Sequence, residues 1–236
     1  MKNLISISTG LVYKFTDKRN EMIRMLREFS PDGIELSFAD STYLFDFKIS
    51  EENVDYLRSL PYTTIHAPWI DIRYANNDKS KKVLDLIEKL YRKTGAKNVT
   101  IEPREIDDYS ILGSYDFQIS IENADIRKPF CAAEELLSIL NKNPKLKLTL
   151  DIAHSMTANP DLFDQLLSTG KISQIHAAYF DISLSDHFFF HKYATPELIA
   201  QIKKIPENIP LVLEAVAGKR EEISSVRDEI KFLRSL

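Results

Sequence analysis

The chain has 236 residues, of which 44% are hydrophobic and 28% charged, and its formal net charge is −4. This composition is typical of a soluble globular protein with a large core, and the acidic balance argues against a chain that binds nucleic acid over its whole surface. Cys131 is the only cysteine, so an intrachain disulfide is excluded and a reducing compartment is indicated. No apolar run approaches the roughly 20 residues that cross a bilayer, and the first residues are too polar for a signal peptide, so we expect a cytoplasmic protein.

Short apolar runs recur along the chain and predict eight β-strands. They lie near residues 3–8, 33–37, 62–66, 98–102, 117–122, 147–151, 173–180 and 210–214. Amphipathic patterns between them predict helices. These lie at residues 18–29, 51–60, 78–94, 132–141, 160–168, 196–203 and 220–235, with a weaker pattern at 103–114.

Strands that alternate with helices imply parallel pairing. Eight such units in a chain of this length predict an α/β protein with one domain over residues 1–236, a single (β/α)8 TIM barrel. The alternative is a doubly wound open sheet. That fold more often has a glycine-rich phosphate turn after its first strand, where this chain has only Gly10.

Seven of the predicted strands end in a large aliphatic residue followed directly by Glu, Asp or His. The pairs are Ile34-Glu35, Ile65-His66, Ile101-Glu102, Ile121-Glu122, Leu150-Asp151, Ile175-His176 and Leu213-Glu214. Successive side chains of a strand face opposite sides. We therefore expect the aliphatic residues to pack under the helices and the polar residues to face the barrel interior. A ring of carboxylates and imidazoles is costly to bury unless a cation is bound among them.

Four of these polar residues lie on consecutive predicted strands, namely Glu122, Asp151, His176 and Glu214. The C-terminal ends of barrel strands carry the active site of this fold. Three carboxylates and one imidazole suit a divalent cation such as Zn²⁺, Mn²⁺, Co²⁺ or Mg²⁺, and the absence of sulfur ligands favours a catalytic site over a structural one. The alternative is that the carboxylates cap loops or helices and that the histidine is an ordinary core residue.

Several segments together resemble the xylose isomerase-like TIM barrels, which include sugar and sugar-phosphate isomerases and epimerases and also endonuclease IV. The resemblance covers nearly the whole chain. It rests on DGIEL (32–36), HAPW (66–69), SIENAD (120–125), DIAH (151–154), QIHAAYFD (174–181), SDH (185–187) and PLVLEA (210–215).

The resemblance implies that the same four residues bind one metal ion in a sugar or sugar-phosphate isomerase or epimerase. It also implies that Glu122 and Glu214 are the catalytic acid and base, which transfer a proton through a metal-stabilised enediolate. His154 resembles the family's substrate-binding DxxH histidine, or supports Asp151. Trp69 resembles an aromatic wall of the pocket, or packs in a loop. Glu35 is a further candidate for substrate binding or for a second metal.

Endonuclease IV, a three-zinc enzyme that cuts DNA beside an abasic site, is the alternative within the same resemblance. Its additional ligands would fall at His66, Glu102, His154, Asp186 and His187, with His191 as a possible substitute. Two features depart from that enzyme: a glutamate stands where it has a histidine, and the Asp-His pair is adjacent rather than separated by one residue. The net charge also disfavours a protein that follows phosphates. A barrel that binds metal without catalysis is the third alternative.

The segment 183–193 (SLSDHFFFHKY) contains three consecutive phenylalanines. It predicts either a lid that excludes water from the pocket, a contact in a homodimer, or packing onto the barrel rim.

Overall fold

The computed structural model describes residues 3–159, 161–184 and 186–236. Within them, eight parallel strands close into a barrel, in the order in which they follow along the chain. The barrel strands are β1 (Ile5–Ser8), β2 (Gly33–Ser37), β3 (Tyr62–His66), β4 (Asn98–Ile101), β5 (Ile119–Glu122), β6 (Lys147–Asp151), β7 (Ile172–Ala177) and β10 (Leu211–Leu213). The predicted (β/α)8 barrel is therefore confirmed.

The seventh predicted strand is too long by three residues, because the chain leaves the barrel after Ala177. The next residues form β8 (Tyr179–Asp181), which pairs with β9 (Asp186–Phe188) in a separate antiparallel sheet. The apolar run at 173–180 thus belongs to two sheets. Its second part forms a hairpin over the C-terminal end of the barrel.

Helices occupy the connections between the strands. They are α1 (Arg19–Arg27), α2 (Ser41–Phe45), α3 (Glu51–Ser59), α4 (Asp78–Thr94), α5 (Ala133–Lys142), α6 (Ile152–Ala158), α7 (Leu162–Leu167), α8 (Phe190–Tyr193), α9 (Pro196–Ile202) and α10 (Ser225–Ser235). The short helices α2, α6 and α8 were not predicted, and the first residue of the predicted helix 160–168 lies outside the described residues. No helix in these ranges has the length and apolarity that crossing a membrane requires.

In the part of the chain that the structure describes, four 3₁₀ helices complete the connections. They are Thr9–Val12, Pro103–Glu105, Tyr109–Ser114 and Arg220–Ser224. The weak helical pattern at 103–114 corresponds to two of them, and the predicted helix 220–235 begins with another.

The strands have the predicted register. The aliphatic residues of the seven pairs are all fully buried in the core under the helices. On the opposite face, small polar side chains fill the barrel and bond one another, as between the hydroxyls of Thr100 and Thr149 at 2.9 Å and of Ser120 and Thr149 at 2.6 Å. Exchanging the two faces would place the carboxylates under the helices, so the alternation fixes the register.

Gly33 at the start of β2 is required by close packing of the strands. A Cβ at this position would lie 1.7 Å from the carbonyl oxygen of Tyr62 and 2.3 Å from Oγ of Ser6. We expect Gly33→Ala to destabilise the protein by at least about 3 kcal/mol, because the backbone of β3 has to move. Thermal unfolding should show a melting temperature lower by roughly 5–10 °C.

Gly113→Ala is the matched control, since a Cβ there meets no atom within 4 Å. Equal melting temperatures for the two variants would show that the barrel tolerates a side chain at Gly33.

Candidate metal centre

Four predicted ligands converge at the C-terminal end of the barrel. Their ligand atoms all lie within 4.8 Å of one another, and they belong to Glu122, Asp151, His176 and Glu214. Nδ1 of His176 is 2.8 Å from Oε1 of Glu122 and 3.1 Å from Oε2 of Glu214. The first three residues are buried, and the side chain of Glu214 is 18% exposed. Parallel strands that end at one rim bring these side chains together, as the sequence pattern predicted.

The backbone around Asp151 is held by Asn123, which follows β5. The backbone N–H of Asp151 donates to Oδ1 of Asn123 at 2.7 Å, and Nδ2 of Asn123 donates to the carbonyl of Asp151 at 3.0 Å. Oδ1 of Asp151 also accepts from the backbone N–H of His154, which lies in the first turn of α6. Asn123 was not among the predicted site residues, although it lies next to Glu122 in the SIENAD segment.

His66, at the end of β3, lies on the other side of Glu122. Its Nε2 is 3.1 Å from Oε2 of Glu122, so this carboxylate is placed between two imidazoles. Glu122, His66 and His176 form a second group in which ligand atoms lie within 4.8 Å. The half-buried ring of Trp69 packs edge-on against His66, with 4.7 Å between the ring centres. Trp69 therefore lies beside the site, and its role as an aromatic wall of the pocket stays a prediction.

Asp151, His154 and His187 form a third group with ligand atoms within 4.8 Å. Nδ1 of His154 is 3.5 Å from Oδ2 of Asp151, and Nε2 of His187 is 3.9 Å from the same oxygen. The hairpin of β8 and β9 brings His187 here. Phe180 of the hairpin contacts both imidazole rings, with 5.6 Å to His154 and 4.9 Å to His187 between ring centres.

Three other predicted residues lie outside these groups, because each has a different partner. Glu102 pairs with Arg104, and Asp186 pairs with Lys14 at 3.2 Å. His191 is in α8, where its Nδ1 is 2.7 Å from Oε2 of Glu229. The geometry does not support these three as metal ligands.

Glu35 lies deeper than predicted. Strand β2 continues through Leu36 to Ser37, so Glu35 is not at the rim but inside the barrel, with no exposed surface. It accepts hydrogen bonds from the hydroxyl of Thr64 at 3.1 Å and from the amide of Gln174 at 2.9 Å. A substrate at the mouth of the barrel cannot contact a carboxylate in this position, which corrects the predicted substrate-binding role.

Glu229 of α10 is a buried acidic residue that no pattern in the sequence singles out. Its carboxylate accepts from the backbone N–H groups of Phe190 at 2.7 Å and His191 at 2.8 Å. Phe189 and Phe190 are buried in the core. These two phenylalanines therefore anchor the segment after β9 to the rim, and they are not available as an exposed lid or as a dimer contact.

The carboxylates of the centre are electrostatically unequal. Burial acts to raise the pKa of Glu122, but the facing His176 and His66 hold it well below its ordinary value. Burial, with the charge of Glu122 nearby, raises the pKa of Glu214 although His176 opposes this. Burial and the charge of Glu122 also raise the pKa of Asp151 to about 6. Glu122 is thus the carboxylate that keeps its charge most readily.

The histidines gain basicity from these carboxylates. Burial disfavours the charged form of His66, yet its hydrogen bond with Glu122 raises its pKa to about 9. Burial also disfavours the charged form of His176, but the charges of Glu214 and Glu122 raise its pKa well above its ordinary value. Both imidazoles are therefore protonated at neutral pH unless a cation replaces the proton.

Zinc binding is expected to tighten with rising pH, by about tenfold per pH unit for each proton released. A metal ion at the predicted ligands would bind only the neutral imidazole of His176 and the ionised form of Asp151, so protons would compete with it, and raising the pH would remove the competitor. Calorimetric titration with Zn²⁺ between about pH 6 and about pH 8, in buffers of different ionisation enthalpy, measures affinity and proton release together. An affinity independent of pH would contradict these protonation states.

No family model matches the chain, and no curated protein matches it. Similar solved structures include a D-tagatose 3-epimerase-like protein, with 17% identity, 98% of both chains covered and a TM-score of 0.68. Endonuclease IV from Thermus thermophilus has 16% identity over 99% of this chain and 100% of that chain, with a TM-score of 0.68. The IOLI protein with a binding zinc atom has 16% identity over 98% of both chains and a TM-score of 0.69. These likenesses establish the fold, and at that level the predicted resemblance is confirmed.

Proposed function

We propose that this chain, which has the fold of the xylose isomerase-like TIM barrels, is a divalent-metal-dependent isomerase or epimerase of a sugar or sugar phosphate. The observation that carries the proposal is the convergence of Glu122 and Glu214 on one edge of His176, where their environments move their pKa values in opposite directions. Two carboxylates with different proton affinities at one place suit a reaction that removes a proton and returns it.

The donor set fits a divalent cation. Three carboxylates and an imidazole with ligand atoms within 4.8 Å of one another supply the oxygen and nitrogen ligands that Zn²⁺ or Mn²⁺ accepts. Nearly complete burial makes so many negative charges costly without positive charge among them. Glu122, Asp151, His176 and Glu214 are thus the residues that would hold the ion.

The residues around the ion would have different roles in the proton transfer. A bound divalent cation would act as a Lewis acid that polarises the substrate carbonyl and offsets the charge of the enediolate. Glu214, with its raised pKa and partly exposed carboxylate, exchanges a proton with the substrate carbon. Glu122 stays ionised and accepts the hydrogen bond of His66. Trp69, which packs against His66, shapes one side of the pocket.

Exchange of solvent deuterium into sugars tests the proposal. Metal-loaded protein is incubated in D₂O with a panel of ketoses and ketose phosphates, and NMR detects deuterium at the carbon next to the carbonyl. We expect exchange into at least one sugar of the panel, with epimer or aldose product. Loaded protein that exchanges no member of the panel would count against a proton-transfer function.

The second candidate is a zinc-dependent phosphodiesterase similar to endonuclease IV, which would act on abasic DNA. Two observations favour it: the Asp151, His154 and His187 group adjoins the main cluster, and His66 lies beside Glu122. About three zinc ions per chain, and nicking of a duplex with one abasic site, would favour this reaction over the first. About one ion per chain would favour the isomerase.

A further inference from the structure

His176 presents its two ring nitrogens to different surroundings. Nδ1 faces the cluster of ligands, 2.8 Å from Oε1 of Glu122. Nε2 faces the inside of the barrel, 3.3 Å from Oε2 of Glu35 and 3.0 Å from Nε2 of Gln174. A neutral imidazole carries one proton, so Nδ1 can bind a cation only when the proton is on Nε2.

The two neighbours of Nε2 favour opposite tautomers. The carboxylate of Glu35 can only accept a hydrogen bond, so it favours a proton on Nε2 of His176. The amide nitrogen of Gln174 can only donate, so it favours the proton on Nδ1, where it would block metal binding. The position of the proton on His176 therefore depends on whether Nε2 makes its hydrogen bond with Glu35 or with Gln174.

The hydrogen bonds of Gln174 resolve this competition in favour of Glu35. Its Nε2 donates to Oε2 of Glu35 at 2.9 Å and to Oγ1 of Thr100 at 3.1 Å, and its Oε1 accepts from the hydroxyl of Tyr62 at 3.1 Å. Since an amide nitrogen has two protons, these two acceptors use both. Nε2 of His176 therefore carries the proton and donates it in a hydrogen bond to the carboxylate of Glu35.

The buried carboxylate of Glu35 depends on the few groups that face it, above all on the imidazole of His176. The residue has no exposed surface, and within the described residues its Oε1 has no hydrogen-bond partner. An incompletely bonded carboxylate in a barrel interior is costly. Val212, which is in register with His176, is a buried apolar residue on the same face of the barrel, so this interior is not reserved for charged side chains.

We propose that Glu35 is a positioning residue of the metal centre, which holds the proton of His176 on Nε2 so that Nδ1 is presented to the cation. The inference rests on the proposed metal-dependent function. Groups that orient a metal-bound histidine through its other nitrogen commonly change metal affinity by about 10- to 100-fold when they are replaced. Glu35 lies on β2 and would change the metal affinity from the opposite side of the barrel, through its contact with His176 on β7.

Glu35→Gln tests the inference, because it keeps the shape of the side chain and removes the charge. We expect the dissociation constant for Zn²⁺, measured by competition with a chromophoric chelator, to rise about 10- to 100-fold. The melting temperature of the metal-free variant is expected to fall as well, since Glu35 then no longer offsets the protonated His176 at 3.3 Å. A purely structural role predicts the lower melting temperature with unchanged zinc affinity, so the zinc affinity separates the two roles.

Gln174→Met is the companion variant. It removes the competing donor and leaves Glu35 in place, so zinc affinity should be retained or increased. A loss of affinity in Gln174→Met, together with unchanged affinity in Glu35→Gln, would show that the amide, and not the carboxylate, orients His176.

Long-range ¹H–¹⁵N NMR of the unsubstituted, zinc-loaded protein tests the same point without any substitution. The expected result is a proton on Nε2 of His176 and a metal-bound Nδ1; a proton on Nδ1 would overturn the inference. Equal zinc affinity of Glu35→Gln and the unsubstituted protein would also overturn it, while leaving the metal centre intact. An unsubstituted protein that binds no Zn²⁺ would instead overturn the proposed function, and the inference with it.

Discussion

Replacing Asp151 with asparagine is expected to lower the affinity for Zn²⁺ by about 100-fold or more. Asn keeps the size of the side chain and an oxygen that can accept from the backbone N–H of His154, so α6 should still begin at the same residue. What is lost is a negative charge from a buried cluster that has to balance a divalent cation. Competition with a chromophoric chelator measures the affinity.

Asp186→Asn is the matched control for this experiment. Asp186 was also predicted as a metal ligand from the sequence, but the structure pairs it with Lys14 and leaves it outside the three ligand groups. We expect the affinity of Asp186→Asn for Zn²⁺ to stay within about twofold of that of the unsubstituted protein, since an ion pair near the surface contributes little to stability. If Asp151→Asn bound zinc as tightly as this control, the assignment of the metal centre would be refuted.

Under the proposed isomerase function, Glu214→Gln is expected to slow solvent-deuterium exchange into the sugar by about 10²- to 10⁴-fold. The glutamine cannot take up a proton, whereas its carbonyl oxygen can still contact a metal ion, so zinc binding should weaken less than catalysis. Of the two glutamates, Glu214 has the raised pKa and the more exposed carboxylate, which are the properties a proton carrier needs. The rate of exchange is followed by NMR at saturating metal.

Glu221→Gln serves as the control, because Glu221 is an exposed glutamate in the 3₁₀ helix Arg220–Ser224, which follows the same strand. It should exchange deuterium at the rate of the unsubstituted protein. If metal-loaded Glu214→Gln exchanged deuterium at that same rate, Glu214 would not be the residue that transfers the proton.

The sequence alone determined the barrel and the four residues of the central cluster. Alternation of side chains along a strand is a local property, so each Ile-Glu, Leu-Asp or Ile-His pair assigns its polar member to the barrel interior. Parallel strands in a closed barrel end at one rim. Local alternation and this topology together were sufficient to bring Glu122, Asp151, His176 and Glu214 to one place.

The tertiary structure decided the depth and the partner of each remaining residue. Glu35 has the same local pattern as Glu122, yet it lies inside the barrel because β2 continues two residues beyond it. Glu102 follows β4 and pairs with Arg104, and His191 lies in α8 and pairs with Glu229, so both lie outside the cluster. Height along the barrel axis depends on where each strand ends and on how the eight strands are staggered. The partner of His191 is distant in the chain and that of Glu102 is two residues away. Alternation along a strand carries no information about the height of a residue or about its partner.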